Sequence, residues 1–349
     1  MKILIVVYSL AYGGAEKQVV VDANALREYG HQVTVAYFKH GELTKLLHQD
    51  ITLYKLRSKN AGLAALQLFF HCVSHRYHVV HAHMFWAEKI SAPGWLLGQR
   101  IIMNEHGLGV WRKWHHSLLM RIISRLAHLV VNSCDATKNN RVTIDRLKPK
   151  KLMTLYNSFE TNNPNSEAKK RNNHPFTVGF VGRFDPVKRL EFYLPLAQLL
   201  KHSIPGVKFV LVGDGDKREE LEKQVNEAGL QDYFHFPGYV LDPGRYLSHF
   251  DAFFMPSLRE AFSIALLEAG AYEVPAVAFN VGGNPELIKD NETGFIVENN
   301  DIEAAAATIH WLYRNPEEKI RIGRDARRFV TETFSVKQRL QHLGRIYQS

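Results

Sequence analysis

The chain predicts an α/β protein of two doubly wound domains, and three observations carry that expectation. Short apolar runs alternate with amphipathic segments along most of its 349 residues, as they do when helices cover both faces of a mostly parallel sheet. The alternation occurs twice, once on each side of a polar stretch. The length suits two domains of ordinary size, each with its own core.

In the first half the predicted strands cover residues 2–10, 32–38, 79–83, 101–105 and 129–132, with a helix near 15–29. In the second half they cover 177–182, 208–213, 252–256 and 275–279. Between the halves, residues 157–175 are rich in Asn, Lys, Glu and Ser and read as a linker. The expected domains are therefore 1–160 and 161–329. The strongly charged stretch 325–347 reads as one helical segment.

Apolar residues at 46% and charged residues at 23% are those of a globular protein and exclude a disordered chain. With only Cys72 and Cys134, no disulfide framework is expected and a reducing cytosol fits. The apolar start looks superficially like a signal peptide. No small-residue cleavage site follows, however, and Tyr12-Gly13-Gly14-Ala15-Glu16 leads straight into a helical pattern, so it reads as a first buried strand. No uncharged apolar run approaches the ~18 residues of a spanning helix.

The net charge of +9 is unevenly placed. Residues 1–160 hold 21 Lys and Arg against 10 Asp and Glu, and the remainder 23 against 25. The whole excess sits in the first half, which suits an anionic partner there, nucleic acid or a membrane. The basic residues are scattered without a recognised nucleic-acid-binding motif, so no nucleic-acid partner is expected.

Six places could carry chemistry. Gly13 and Gly14 follow the first strand and open a helix, where backbone N–H groups favour a phosphate; the pattern is not G-x-G-x-x-G, which weakens a dinucleotide oxidoreductase. His106, in Asn104-Glu105-His106-Gly107, lies at a strand end and can address a sugar hydroxyl. Arg183 and Lys188, five residues apart after another strand, suit a pyrophosphate: the guanidinium by paired hydrogen bonds, the ammonium as a point charge. Glu260 and Glu268 flank a small-residue turn into a helix, which can supply an anion site and a diol-binding carboxylate together. Taken alone, that spacing is ordinarily two surface glutamates. Finally, Trp111, Arg112, Lys113, Trp114, Leu118, Arg121, Ile122 and Arg125 mix aromatic, aliphatic and basic residues as an interfacial membrane helix does. Gly213-Asp214-Gly215-Asp216 has a D-x-D spacing that could hold a divalent cation, but a tight turn is the preferred reading and no metal is expected.

In this order, the Gly13-Gly14 loop, Asn104-Glu105-His106-Gly107, Val181-Gly182-Arg183 with Lys188, Glu260 to Glu268, and Val281-Gly282-Gly283 resemble the retaining GT-B glycosyltransferases of family four. The likeness covers essentially the whole chain and is strongest over 176–294. It implies two Rossmann-like domains facing a central cleft, and a C-terminal helix of about 330–349 packed back on the first domain. It also implies transfer of a hexose or N-acetylhexosamine from a nucleotide diphosphate sugar, most often a UDP-sugar, with retention and without a metal or other cofactor.

Carried over by position, the resemblance implies that Arg183 and Lys188 bind the pyrophosphate, Glu268 the ribose and Glu260 the transferred sugar. The amides of Phe262, Ser263 and Ile264 would hold sugar hydroxyls and the distal phosphate, Gly14 would approach that phosphate, and His106 would contact the sugar. The nucleobase is expected beside Tyr239 and Val240. Ala261 and Ser158 stand where the family often has glycine. The expected acceptor is a glycan or lipid-linked intermediate of envelope polysaccharide synthesis, with the protein peripheral on the inner face of the cytoplasmic membrane. Two rivals accompany this reading. A two-carboxylate glycoside hydrolase gives Arg183 and Lys188 no role, and a nucleotide-sugar epimerase of the same architecture would share the donor site.

Overall fold

The computed structural model describes residues 1–11, 13–159 and 174–348; most of the expected linker, and Tyr12, lie outside them. The chain divides into two compact units, Met1–Ser158 with Val336–Ser349, and Phe159–Ser335.

The first unit holds β1 (Lys2–Ser9), α1 (Gly14–Glu28), β2 (Gln32–Lys39), β3 (Thr52–Lys55), α2 (Ala61–His75), β4 (Val79–His83) and α3 (Met84–Ser91). A 3-10 turn at Ala92–Leu97 precedes β5 (Arg100–Glu105), α4 (Trp114–Leu126), β6 (Leu129–Asn132), α5 (Asp135–Thr143) and β7 (Leu152–Thr154). The seven strands pair in parallel in the order β3-β2-β1-β4-β5-β6-β7. The central strands are apolar almost throughout because helices cover both of their faces.

The second unit holds β8 (Thr177–Val181), α6 (Tyr193–Leu200), β9 (Lys208–Val212), α7 (Arg218–Glu227), β10 (Phe234–Gly238), α8 (Gly244–Leu247) and β11 (Ala252–Met255). It continues through α9 (Ile264–Ala271), β12 (Ala276–Phe279), α10 (Asn284–Leu287), β13 (Gly294–Val297), α11 (Ile302–Arg314) and α12 (Pro316–Thr333). Its six parallel strands run β10-β9-β8-β11-β12-β13. The order reverses between β8 and β11, as it does between β1 and β4 in the first unit. Open sheets of this kind bind ligands outside the strand carboxyl ends at that reversal.

Two expectations about helices need correction. The stretch 325–347 is not one helix: α12 belongs to the second unit, the chain turns at Phe334-Ser335, and α13 (Val336–Gln348) joins the first. There Arg339, 3% exposed, reaches Asp22 of α1 through Nε (2.6 Å) and a terminal nitrogen (2.7 Å), and donates to the carbonyls of Leu155 and Tyr156. Likewise, the interfacial helix expected over Trp111 to Arg125 starts only at Trp114, as α4, so Trp111, Arg112 and Lys113 lie before it.

Candidate active site

The second unit gathers most of the predicted donor residues at the strand carboxyl ends. Asp185 organises the loop after β8: its Oδ1 accepts from the amides of Val187 (3.0 Å) and Lys188 (3.2 Å). Its Oδ2 accepts from Arg183 Nε at 2.9 Å, leaving an Arg183 side chain that is 63% exposed. Across the strand reversal, the amide of Leu258 donates to the carbonyl of Val187 at 2.8 Å and ties the two loops together. Lys188 Nζ then donates to Glu260 Oε1, and Ser257 Oγ donates to the same oxygen at 2.7 Å. The cation expected on the pyrophosphate and the carboxylate expected on the sugar are thus direct partners.

Glu260 is held from behind by the glycine loop. Gly283 N–H donates to the Glu260 carbonyl at 3.1 Å. Gly282 lies at φ +54°, where a Cβ would fall 1.7 Å from that carbonyl oxygen, so only glycine fits. Ser263 caps α9, accepting from the Leu266 amide at 3.4 Å, and Phe262 and Ile264 are buried beside it. The first amides of a helix have no intrahelical acceptor, and its dipole end favours an anion. Glu268 follows on α9 at 3% exposure. Tyr239 and Val240 follow β10, past Gly238 at φ +81°.

The D-x-D loop has a packing role. A Cβ on Gly213 would lie 1.8 Å from the Gly182 carbonyl oxygen, and one on Gly215 would lie 2.5 Å from that of Phe184. Both glycines let this loop back the one carrying Arg183. Among the described residues no cluster of His, Cys, Asp or Glu could hold a metal ion.

In the first unit, Gly13 precedes α1 and Gly14 is its first residue; a Cβ on Gly13 would meet Glu16 Oε2 at 2.3 Å. His106 follows β5. Its Nε2 lies 2.9 Å from Nδ1 of His83, the last residue of β4, with the rings stacked at 5.2 Å. Behind it, His81 Nδ1 is 2.7 Å from the Tyr347 hydroxyl of α13. Burial, reinforced by the Arg339 guanidinium, pushes His106 down to about 3, and burial holds His83 well below the ordinary histidine range. Both rings are therefore neutral near pH 7.

The loop carrying His106 rests on buried charges. Glu105 Oε1 accepts from the amides of His106 (3.1 Å) and Gly107 (3.0 Å), while its Oε2 pairs with Arg112. Arg112 also pairs with Asp145, which Arg141 joins to Glu88. Arg112, expected as a lipid-facing cation, is instead 2% exposed in this network: three carboxylates need guanidinium partners to be buried at all. Its neighbours Trp111 and Trp114 do face outward, at 56% and 77% exposure.

Sequence reasoning missed His83 and Ser257. The signal for His83 was present, since Val79-Val80-His81-Ala82-His83 places two histidines in an otherwise apolar central strand. Ser257 carried none, because a serine in a turn has too many uses.

Comparison with known proteins then decides the family. Residues 162–329 match the family model described as glycosyl transferases group 1, and residues 12–163 match that of glycosyltransferase family 4. The chain belongs to these glycosyltransferase families. It is 27% identical over 173 residues to a poly(ribitol-phosphate) α-N-acetylglucosaminyltransferase of Staphylococcus aureus, covering 49% of this chain and 35% of that one. It is 30% identical over 183 residues to an Escherichia coli UDP-Gal:α-D-GlcNAc-diphosphoundecaprenol α-1,3-galactosyltransferase, covering 51% and 46%. The aligned stretch thus spans less than half the length of each of these relatives. The crystal structure of HepE from Anabaena in complex with UDP shares the GT-B fold, with a TM-score of 0.84, 21% identity and 99% of both chains covered.

Proposed function

We propose that this family member is a retaining glycosyltransferase that moves a hexose or N-acetylhexosamine from a UDP-sugar to a glycan or lipid-linked acceptor in cell-envelope polysaccharide synthesis. The observation that carries the reading is the Lys188–Glu260 pair, delivered by the loops on either side of the strand reversal and set beside the first turn of α9. A cation and a helix N-terminus compensate a departing diphosphate, and a buried carboxylate next to them is suited to a sugar hydroxyl. A relative whose name specifies a UDP-sugar donor and a polyprenol-linked acceptor supports the same class.

Arg183 and Lys188 take the pyrophosphate, Glu268 the ribose, Glu260 the transferred sugar, and Tyr239 and Val240 the base. The amides at Phe262, Ser263 and Ile264 hold sugar hydroxyls and the distal phosphate, which Gly13 and Gly14 approach, and His106 contacts the sugar. An acceptor hydroxyl attacks the anomeric carbon on the face the diphosphate leaves: the new C–O bond forms as the bond to phosphate oxygen breaks. That oxygen takes the hydroxyl proton, so no protein base is required, and positioning with electrostatic stabilisation supplies the rate. Arg183, Lys188 and the helix ends supply the charge compensation, so the proposal invokes no metal.

The exposed aromatic and basic side chains of α4 and the turn before it, Trp111, Lys113, Trp114 and Arg125 but not Arg112, suit an anionic membrane surface where lipid-linked acceptors reside. Among the described residues no helix is long and apolar enough to cross a membrane, so the proposed association is peripheral.

The test is transfer from UDP- and GDP-sugars by purified protein, after a thermal-shift screen of the same donors. Arg183→Ala and Glu268→Ala are each expected to abolish most transfer. Near wild-type turnover by both would refute the assignment.

A further inference from the structure

The outward side of one helical layer in the first unit is apolar, and nothing in the donor chemistry uses it. α2, α3 and α4 all cover the sheet face that presents Leu4, Val6, Val80 and Met103, so their outer sides belong to one layer. The turn at Ala92–Leu97 packs against both α2 and α4.

Within that layer α2 is apolar on two sides: Ala64, Leu68 and Cys72 are buried against the sheet, yet a second apolar stripe faces water. Two of its polar side chains are tied to neighbouring elements: Gln67 accepts from the Arg57 amide at 2.9 Å and donates to the Tyr54 hydroxyl at 3.2 Å, and His71 Nε2 lies 2.9 Å from the Tyr77 hydroxyl. Its water-facing stripe is Leu63, Leu66, Phe70 and Val73, with Leu63 and Phe70 both 60% exposed. Spacings of three and four residues put these four on one side. The neighbouring turn adds Trp95 and Leu96, and α4 adds Trp114, Leu118 and Ile122 at successive turns, all exposed. An apolar surface running over three adjoining elements is larger than scattered exposed side chains explain, and such patches mark a docking site.

Charge selects the occupant. Between residues 51 and 134 the only acidic residues are Glu88 and Glu105, both buried and both paired with arginine. Lys59, Arg76, Lys113 and Arg125 stand exposed around the apolar stripes. A second copy of this face would bring like charges together across a symmetric interface, whereas an anionic lipid surface accepts both the cations and the apolar side chains. We infer that α2, the Ala92–Leu97 turn and α4 form one docking face for an anionic bilayer. The α2 stripe enters the acyl boundary, and Trp95 and Trp114 sit at headgroup depth. The inference rests on the membrane reading of α4 given above and extends it to two elements that reading did not include.

The test is co-sedimentation of the full chain with phosphatidylcholine vesicles, with and without phosphatidylglycerol, at matched salt. Wild type should bind only the anionic vesicles. Leu66→Ser/Phe70→Ser and Trp114→Ser/Leu118→Ser should each lower partitioning about tenfold or more with unchanged thermal midpoints. Loss in the α4 variant alone would overturn the shared face while leaving α4 as a contact. Absence of wild-type binding would overturn both readings, and a light-scattering mass that halves in the α2 variant would overturn it in favour of self-association. Should the α2 double variant misfold, Phe70→Trp keeps the apolar surface: its added emission should be quenched by brominated lipid, and unquenched emission would overturn the inference.

Discussion

Lys188 and Glu260, 72 residues apart in sequence, meet as an ion pair over the carboxyl ends of β8 and β11, with Ser257 Oγ 2.7 Å from the same carboxylate oxygen. Each partner fixes the position of the other. Removing one leaves the other charged and poorly solvated. Lys188→Met is expected to lower kcat by about 10² to 10³-fold, the range for losing one preorganised electrostatic contact. Lys188→Met/Glu260→Gln should cost less than the sum of the single changes, because the two act as a unit. Strict additivity of the kinetic effects would separate their roles.

Gly282 tests how far Glu260 depends on the loop behind it. Gly282→Ala forces a Cβ to within 1.7 Å of the Glu260 carbonyl oxygen at a backbone φ of +54°, so the loop must move. Gly30, at φ +84° with open space for 4 Å around the place a Cβ would take, carries the conformational strain without the collision. Gly30→Ala should therefore cost about 1 kcal/mol, measured by urea unfolding, and leave transfer intact. Gly282→Ala should lose more stability and most of the transfer.

Arg339 and Asp22 make the corresponding test of the last helix. Their two hydrogen bonds, at 2.6 and 2.7 Å, are buried, and Gln18 Nε2 donates to the same Asp22 at 2.8 Å. Gln18 also holds Ser158, accepting from its amide at 2.7 Å and donating to its hydroxyl at 3.2 Å, so this serine has a structural use. Breaking a buried pair by removing one partner costs about 3 to 5 kcal/mol. Arg339→Met should therefore destabilise the first unit by that order in chemical denaturation, and a change within error would show that α13 is held by its apolar contacts alone.

The central strands were legible in the sequence because a strand buried on both faces is an unbroken apolar run. The four strands that went unread, β3, β7, β10 and β13, are the four edges of the two sheets. They span only three to five residues, and β10 includes Pro237, which an edge tolerates. The site was legible in the same uneven way. Residue types with a strong chemical bias, such as Arg183, Lys188 and Glu260, could be read from their place after a strand. Pairings across the chain could not: nothing local to Arg112 distinguishes a lipid-facing cation from one that neutralises Glu105 and Asp145, because the carboxylates that bury it arrive from other elements.

The buried histidines give the first unit a directional response to acid. Burial lowers His81 to about 4 and His106 to about 3, and His83 lies well below its ordinary range for the same reason. In the unfolded chain each titrates near ~6.5. Above that pH both states hold the rings neutral and the stabilisation is fully present. As pH falls below about 6.5 the unfolded chain takes up protons that the folded unit refuses, and stability is lost at up to about 1.4 kcal/mol per pH unit for each ring, until the folded values are reached. Unfolding free energies measured by urea from about pH 7 to 4.5 should therefore fall with acid. His83→Gln removes one of these rings, so its curve should be shallower than wild type by about one proton over the same interval. Parallel curves would mean that His83 takes up its proton in the folded state as readily as in the unfolded one.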